Sequence, residues 1–155
     1  MPPDNATADQ MVSDEILALS ILNALRRLGS HARDATGAAG SVTVQVNLVP
    51  SPGRNILIGR QQHELGKSRS GNVVSTSARA ETSASLDDLA DIGPALIASA
   101  ARVLDELGHS FGIPEMGQFS GNGEIRRRYW ADSKEVAQWA DAHGIPMTDD
   151  LIAKA

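Results

Sequence analysis

The residues best suited by type and spacing to carry chemistry are His109 and Glu115, which flank the segment His109–Ser110–Phe111–Gly112–Ile113–Pro114–Glu115. A His–carboxylate pair can exchange protons near neutral pH, so the pair is a candidate for general acid/base work. The plainer reading is favoured: His109 caps the last carbonyls of a helix and Phe111 docks on the core. His63 and Glu64 are adjacent in a polar stretch and would need further ligands to hold a metal. His31 and His143 sit beside expected helix ends. The chain has no Cys. That excludes disulfides, thiolate zinc sites and cysteine nucleophiles. No phosphate-binding loop, dinucleotide fingerprint, nucleophile elbow or metalloprotease helix is present. No cofactor and no metal are expected, and an enzyme is the less favoured class.

A second set of residues could meet phosphate. The formal net charge of -5 hides a segregation. From Ser41 to Ala80 the basic residues are Arg54, Arg60, Lys67, Arg69 and Arg79, against the single acid Glu64. Arg126, Arg127 and Arg128 form a further run beside Tyr129 and Trp130. A basic sheet with two rings for stacking would suit nucleic acid. Against this, Arg side chains also cover the wet face of a half-exposed sheet. Strand alternation separates Arg127 from its two neighbours, and the chain is acidic overall. The favoured reading has Tyr129 and Trp130 anchoring the C-terminal part on the rest of the domain.

At 155 residues the chain fits one domain able to bury a core without staples. Residues 1–12 read as a solvated, disordered tail, and 13–155 as a single α+β domain. No apolar run approaches the ~20 residues of a membrane span. The polar start lacks a secretory pattern, so a cytoplasmic protein without membrane partners is expected.

The elements that must position these residues follow from periodicity. Ser13 is a candidate N-cap. Leu17, Ile21, Ala24, Leu25 and Leu28 recur at helical spacing, with Gly29 as the expected stop. Val42, Val44, Val46 and Leu48 alternate with polar residues, which is the pattern of a half-buried strand. After the Pro50–Gly53 turn, Ile56 and Ile58 continue as its hairpin partner, and Val73–Ala80 forms a third, edge strand. The expected sheet is a three-stranded antiparallel meander. Ser85 with Asp88 starts the next helical stretch, interrupted by Gly93–Pro94. Either the helix kinks there, or Asp91 caps a second, long helix with the apolar face Leu96, Ile97, Ala100, Val103, Leu104 and Leu107. Asn122–Gly123 predicts a small β-hairpin from Phe119 to Trp130. Asp132 with Glu135 opens a short helix, and Thr148 caps a final turn.

The segment Glu135-Val136-Ala137-Gln138-Trp139-Ala140 to Gly144 resembles the C-terminal DNA-binding helices of actinobacterial nucleoid proteins. The Arg-Gly-Arg element that reads the minor groove there is absent. Met147-Thr148-Asp149-Asp150 stands in that region, and phosphate repels the acidic pair, so the function does not carry over.

The favoured expectation is a non-enzymatic binding or regulatory domain that self-associates into a homo-oligomer or takes a protein partner. The two routes to a dimer are the edge strand and the small residues Ala95, Ala98, Ala100 and Ala101 of the long helix. The alternatives are nucleic-acid binding through the basic sheet and a small enzyme using a His–carboxylate pair.

Overall fold

The computed structural model describes residues 10–59 and 77–152. The elements are β1 (Gln10–Ser13), α1 (Asp14–Thr36), β2 (Ser41–Leu48), β3 (Ile56–Gly59), β4 (Ala78–Ser85), α2 (Leu86–Ala90), α3 (Pro94–His109), β5 (Ile125–Arg126), a 3-10 turn (Arg127–Tyr129), α4 (Ser133–Ala142) and β6 (Met147–Thr148). The class is mixed helix and strand, as the switch of period at Ser41 predicts. Gln10–Val12, read from sequence as part of the tail, lie in β1.

The expected meander does not form. The described strands make three two-stranded sheets: β1 with β3 in parallel, β2 with β4 antiparallel, and β5 with β6 in parallel. The burial patterns explain why β2 and β3 are not a hairpin. β2 alternates exposed and covered residues, whereas Ile56 and Ile58 of β3 are fully buried and Leu57 half-buried. Ile56 and Ile58 are covered, and β1 is the strand partner of β3, with the Gln10 amide donating to the Asn55 carbonyl at 2.7 Å. β2 instead pairs along its whole length with β4, from Ser41↔Ser85 to Leu48↔Ala78. Of the expected third strand, Val73–Thr76 lie outside the described residues.

The expected helix stop at Gly29 is also corrected. Gly29 is buried inside α1, which runs on to Thr36 and ends at Gly37 in the left-handed region, φ 64°. A Cβ on Gly29 would lie 2.6 Å from the Leu89 Cβ and 2.7 Å from the Ala90 amide nitrogen. This glycine lets α2 cross closely and terminates nothing. Leu17, Ile21 and Leu25 face the core as expected, but Ala24 and Leu28 face solvent.

Ser85 Oγ accepts the Asp88 amide, so α2 starts where predicted. Gly93, not Asp91, occupies the N-cap position of α3, with Pro94 in its first turn. Asp91 instead takes an ion pair with Arg33 at 3.0 Å. The expected 119–130 hairpin shrinks to one antiparallel bridge, Phe119↔Ile125. After Arg126 the chain coils into the 3-10 turn, and β5 finds its strand partner in β6. Asp132 caps α4 as predicted, its carboxylate accepting the Glu135 amide.

α3 packs on α1, α2 and β4, and its apolar face is the centre of the core. Leu104 is fully buried there. Leu104→Ala lowers unfolding free energy by about 2–5 kcal/mol, read from urea denaturation, because the cavity adds to the lost transfer energy.

Candidate functional site

The described bonds of His109 and Glu115 go to other groups. His109 Nε2 donates to the Pro114 carbonyl at 3.0 Å. Glu115 Oε1 meets Arg126 Nη2 at 2.8 Å. Arg126 Nη1 also donates to the carbonyls of Gly117 and Phe119, at 3.4 and 3.2 Å. Between them Asp105 Oδ1 accepts the Met116 amide at 2.9 Å. These bonds make the segment from α3 to β5 a clasp around the buried Phe111, Ile113 and Met116.

Burial holds the Asp105 carboxyl above the usual carboxylate range; the Met116 amide opposes the shift and the Glu115 charge adds to it. The folded protein therefore binds the Asp105 proton more tightly than the unfolded chain. Asp105 favours folding most below its unfolded pKa, and that contribution is lost as pH rises through the raised folded value. Asp105→Asn keeps a carbonyl acceptor for Met116 and removes the titration. Its stability relative to the parent rises as pH goes from the acid side of the carboxylate range to neutrality, in urea melts at several pH values. A pH-independent difference would refute the assignment.

The described basic residues differ in exposure and in partner. Arg54 is exposed in the turn before β3. Arg60, Lys67 and Arg69 lie outside the described residues. Arg126 is held by Glu115, and Arg127 pairs with Asp149 at 3.1 Å. Arg128 is exposed on the 3-10 turn. Tyr129 and Trp130 are buried, which removes their faces from solvent. Tyr129 OH accepts the Ile152 amide at 2.9 Å, and Trp130 Nε1 donates to the Gln118 carbonyl at 3.4 Å. Both rings anchor the C-terminal part.

Three features escaped the sequence reading. The first is a buried polar pair. Asp14, in the first turn of α1, is fully buried and accepts Gln118 Nε2 at 2.8 Å across 104 residues of sequence. The second is a cleft of about 430 Å³ between α1 and the 119–139 region. Leu22, Phe119, Ile125 and Trp130 form its buried side. Ile16, Leu19, Val136 and Trp139 form its open side, with Ile16 64% and Leu19 44% exposed. Apolar residues on two stripes of α1 were the available signal, since one core-facing stripe accounts for only one of them.

The third feature is a strand edge that no described strand covers. Leu86 donates to the Gly40 carbonyl at 2.9 Å, which makes Gly40 and Leu86 a hydrogen-bonded pair just beyond the ribbon. Antiparallel pairs alternate, so Ser41, Thr43, Gln45 and Asn47 aim their backbone groups away from β4. No described strand pairs with that edge. On the opposite side of the ribbon the outward Glu81 amide is received by Glu106 Oε2 of α3 at 3.1 Å.

No family model, curated protein or solved structure matches this chain.

Among the described residues no helix is long and apolar enough to cross a membrane.

Proposed function

We propose that the protein is a binding domain that works as a two-fold dimer, its copies paired antiparallel along β2. The observation that carries this reading is the contrast between the two edges of the ribbon. The β4 edge is blunted by Glu106 and carries the charges of Arg79 and Glu81. β2, Ser-Val-Thr-Val-Gln-Val-Asn-Leu, has eight residues without a charge or a proline. Charged side chains, prolines and bulges are the usual guards of an open edge, and β2 has neither of the first two. Antiparallel self-pairing is isologous, so one strand supplies both halves of the contact. It also adds cover to the half-buried Val42, Val46 and Leu48. The other route to a dimer is less available, because Ala100 and Ala101 of α3 are buried in the chain's own core. A binding rather than catalytic role is supported by the separate engagements of His109 and Glu115.

Analytical ultracentrifugation at micromolar concentration tests the reading. The expected species has twice the 16.3 kDa monomer mass. Each copy carries -5, so raising salt strengthens association by screening their repulsion. Binding to a nucleic-acid duplex would weaken with salt instead. Gln45→Lys puts a charge on the open edge and weakens the dimer by about tenfold or more. Ala98→Glu on α3 leaves it intact. A 16.3 kDa species at every concentration, or a dimer broken by Ala98→Glu and not by Gln45→Lys, overturns the proposal.

A further inference from the structure

The cleft beside α1 has a chemistry that the dimer does not use, and β2 contributes no residue to it. We infer that it is a binding site for a small hydrophobic ammonium compound, one with an aromatic or short alkyl body and one protonated amine.

Size is the first argument. A cavity of about 430 Å³ lies within the range of roughly 300–1,000 Å³ found for small-molecule sites. Lining is the second. The buried side, including Phe119 and Trp130, is apolar and offers the body of a ligand a place out of water. Ile16 and Leu19 stand exposed at the mouth and gain cover when it is filled.

Charge is the third argument, and it selects the head group. Glu15, Asp132 and Glu135 are among the described lining residues, and none of the described ones is Lys, Arg or His. Two of these carboxylates already cap backbone amides, Glu15 that of Ala131 and Asp132 that of Glu135. Those bonds hold the two side chains in place at the rim. An anion is repelled by this rim, and a neutral compound gains nothing from it. A cation gains from the carboxylates and from the electron-rich ring of the half-buried Trp139.

The test uses three compounds with one body and three heads: 4-phenylbutylammonium, 4-phenylbutanol and 4-phenylbutyrate. The chain's two tryptophans both line the cleft, so intrinsic fluorescence reads occupancy directly. At low ionic strength the expected order of affinity is amine, alcohol, carboxylate, with about tenfold between the first and last. Glu135 is exposed and caps nothing, so Glu135→Gln leaves the fold alone. That variant weakens the amine about threefold and leaves the alcohol unchanged. Leu19→Gln weakens all three. Unchanged alcohol binding by Glu135→Gln shows that its cleft is intact. Gln45→Lys gives the same titrations as the parent, which separates this site from the dimer.

Equal affinity for the three heads, tightest binding of the carboxylate, or no change in tryptophan emission with any of them overturns the inference. So does a basic amphipathic peptide that displaces the amine and binds more than a hundredfold tighter, which assigns the cleft to a protein partner.

Discussion

Gly29→Val destabilises the protein by about 3 kcal/mol, at the upper end of the cost of overpacking a well-filled contact. For a chain of this length that is a fall in melting temperature of about 10 °C. The Cβ meets two atoms at once, the Leu89 Cβ at 2.6 Å and the Ala90 nitrogen at 2.7 Å. One of these is backbone and cannot rotate away. α1 and α2 must move apart, and Leu89, fully buried between them, loses part of its packing. Gly29→Ala is the sharper test. In an open helix it would gain about 1 kcal/mol from propensity. Here it also destabilises, because the first carbon already collides. A Gly29→Ala protein as stable as the parent would show that the two helices can separate at no cost.

Asp14→Ala is expected to remove about 3 kcal/mol, because two hydrogen bonds disappear and a buried amide is left without its acceptor. Asp14 Oδ1 accepts the Glu15 amide at 2.8 Å, and its Oδ2 accepts Gln118 Nε2 at 2.8 Å. Gln118 Oε1 is already buried without a hydrogen-bond partner, so losing Asp14 leaves both ends of the amide unmet. Gln118→Met removes that amide and lets the two changes be compared. The double variant is expected to lose at least 1 kcal/mol less than the sum of the singles, the mark of a direct contact. Additive losses in chemical denaturation would mean that the two side chains act separately.

What was legible in the sequence is what local chemistry decides. The change of period at Ser41 marks β2 because alternation is a property of one strand. Ser85 with Asp88 and Asp132 with Glu135 mark helix starts because each cap joins residues three apart. Strand partners were not legible. β3 pairs with β1 across more than forty residues, in a parallel register that no turn dictates. The four residues of β1 look like tail until Ile56 and Ile58 need covering. Gly29 misled because one residue type serves two needs, a left-handed stop and a close crossing, and only the second neighbour tells them apart. The candidate sites divide the same way. The segment from His109 to Glu115 was visible as irregular, but its partners Asp105 and Arg126 come from α3 and β5. The rim of the cleft joins Glu15 to Asp132 and Glu135, which are more than a hundred residues apart.

The latch on the first turn of α1 has a consequence for synthesis. Asp14 waits for Gln118, 104 residues later, and the Glu15 carboxylate waits for the Ala131 amide, 116 residues later. At roughly 5–20 residues per second, a ribosome adds the stretch between Glu15 and Ala131 in about 6 to 23 seconds. Throughout that time α1 can coil, because helical bonds are local, but these two bonds of its first turn cannot form. Ile16 and Leu19, on one side, and Leu17 and Ile21, on the other, face water together on the nascent chain. The bonds of the first turn to Gln118 and Ala131 are thus among the last to form, and until then the emerging chain carries apolar residues on two sides of α1 that a holding chaperone could grasp.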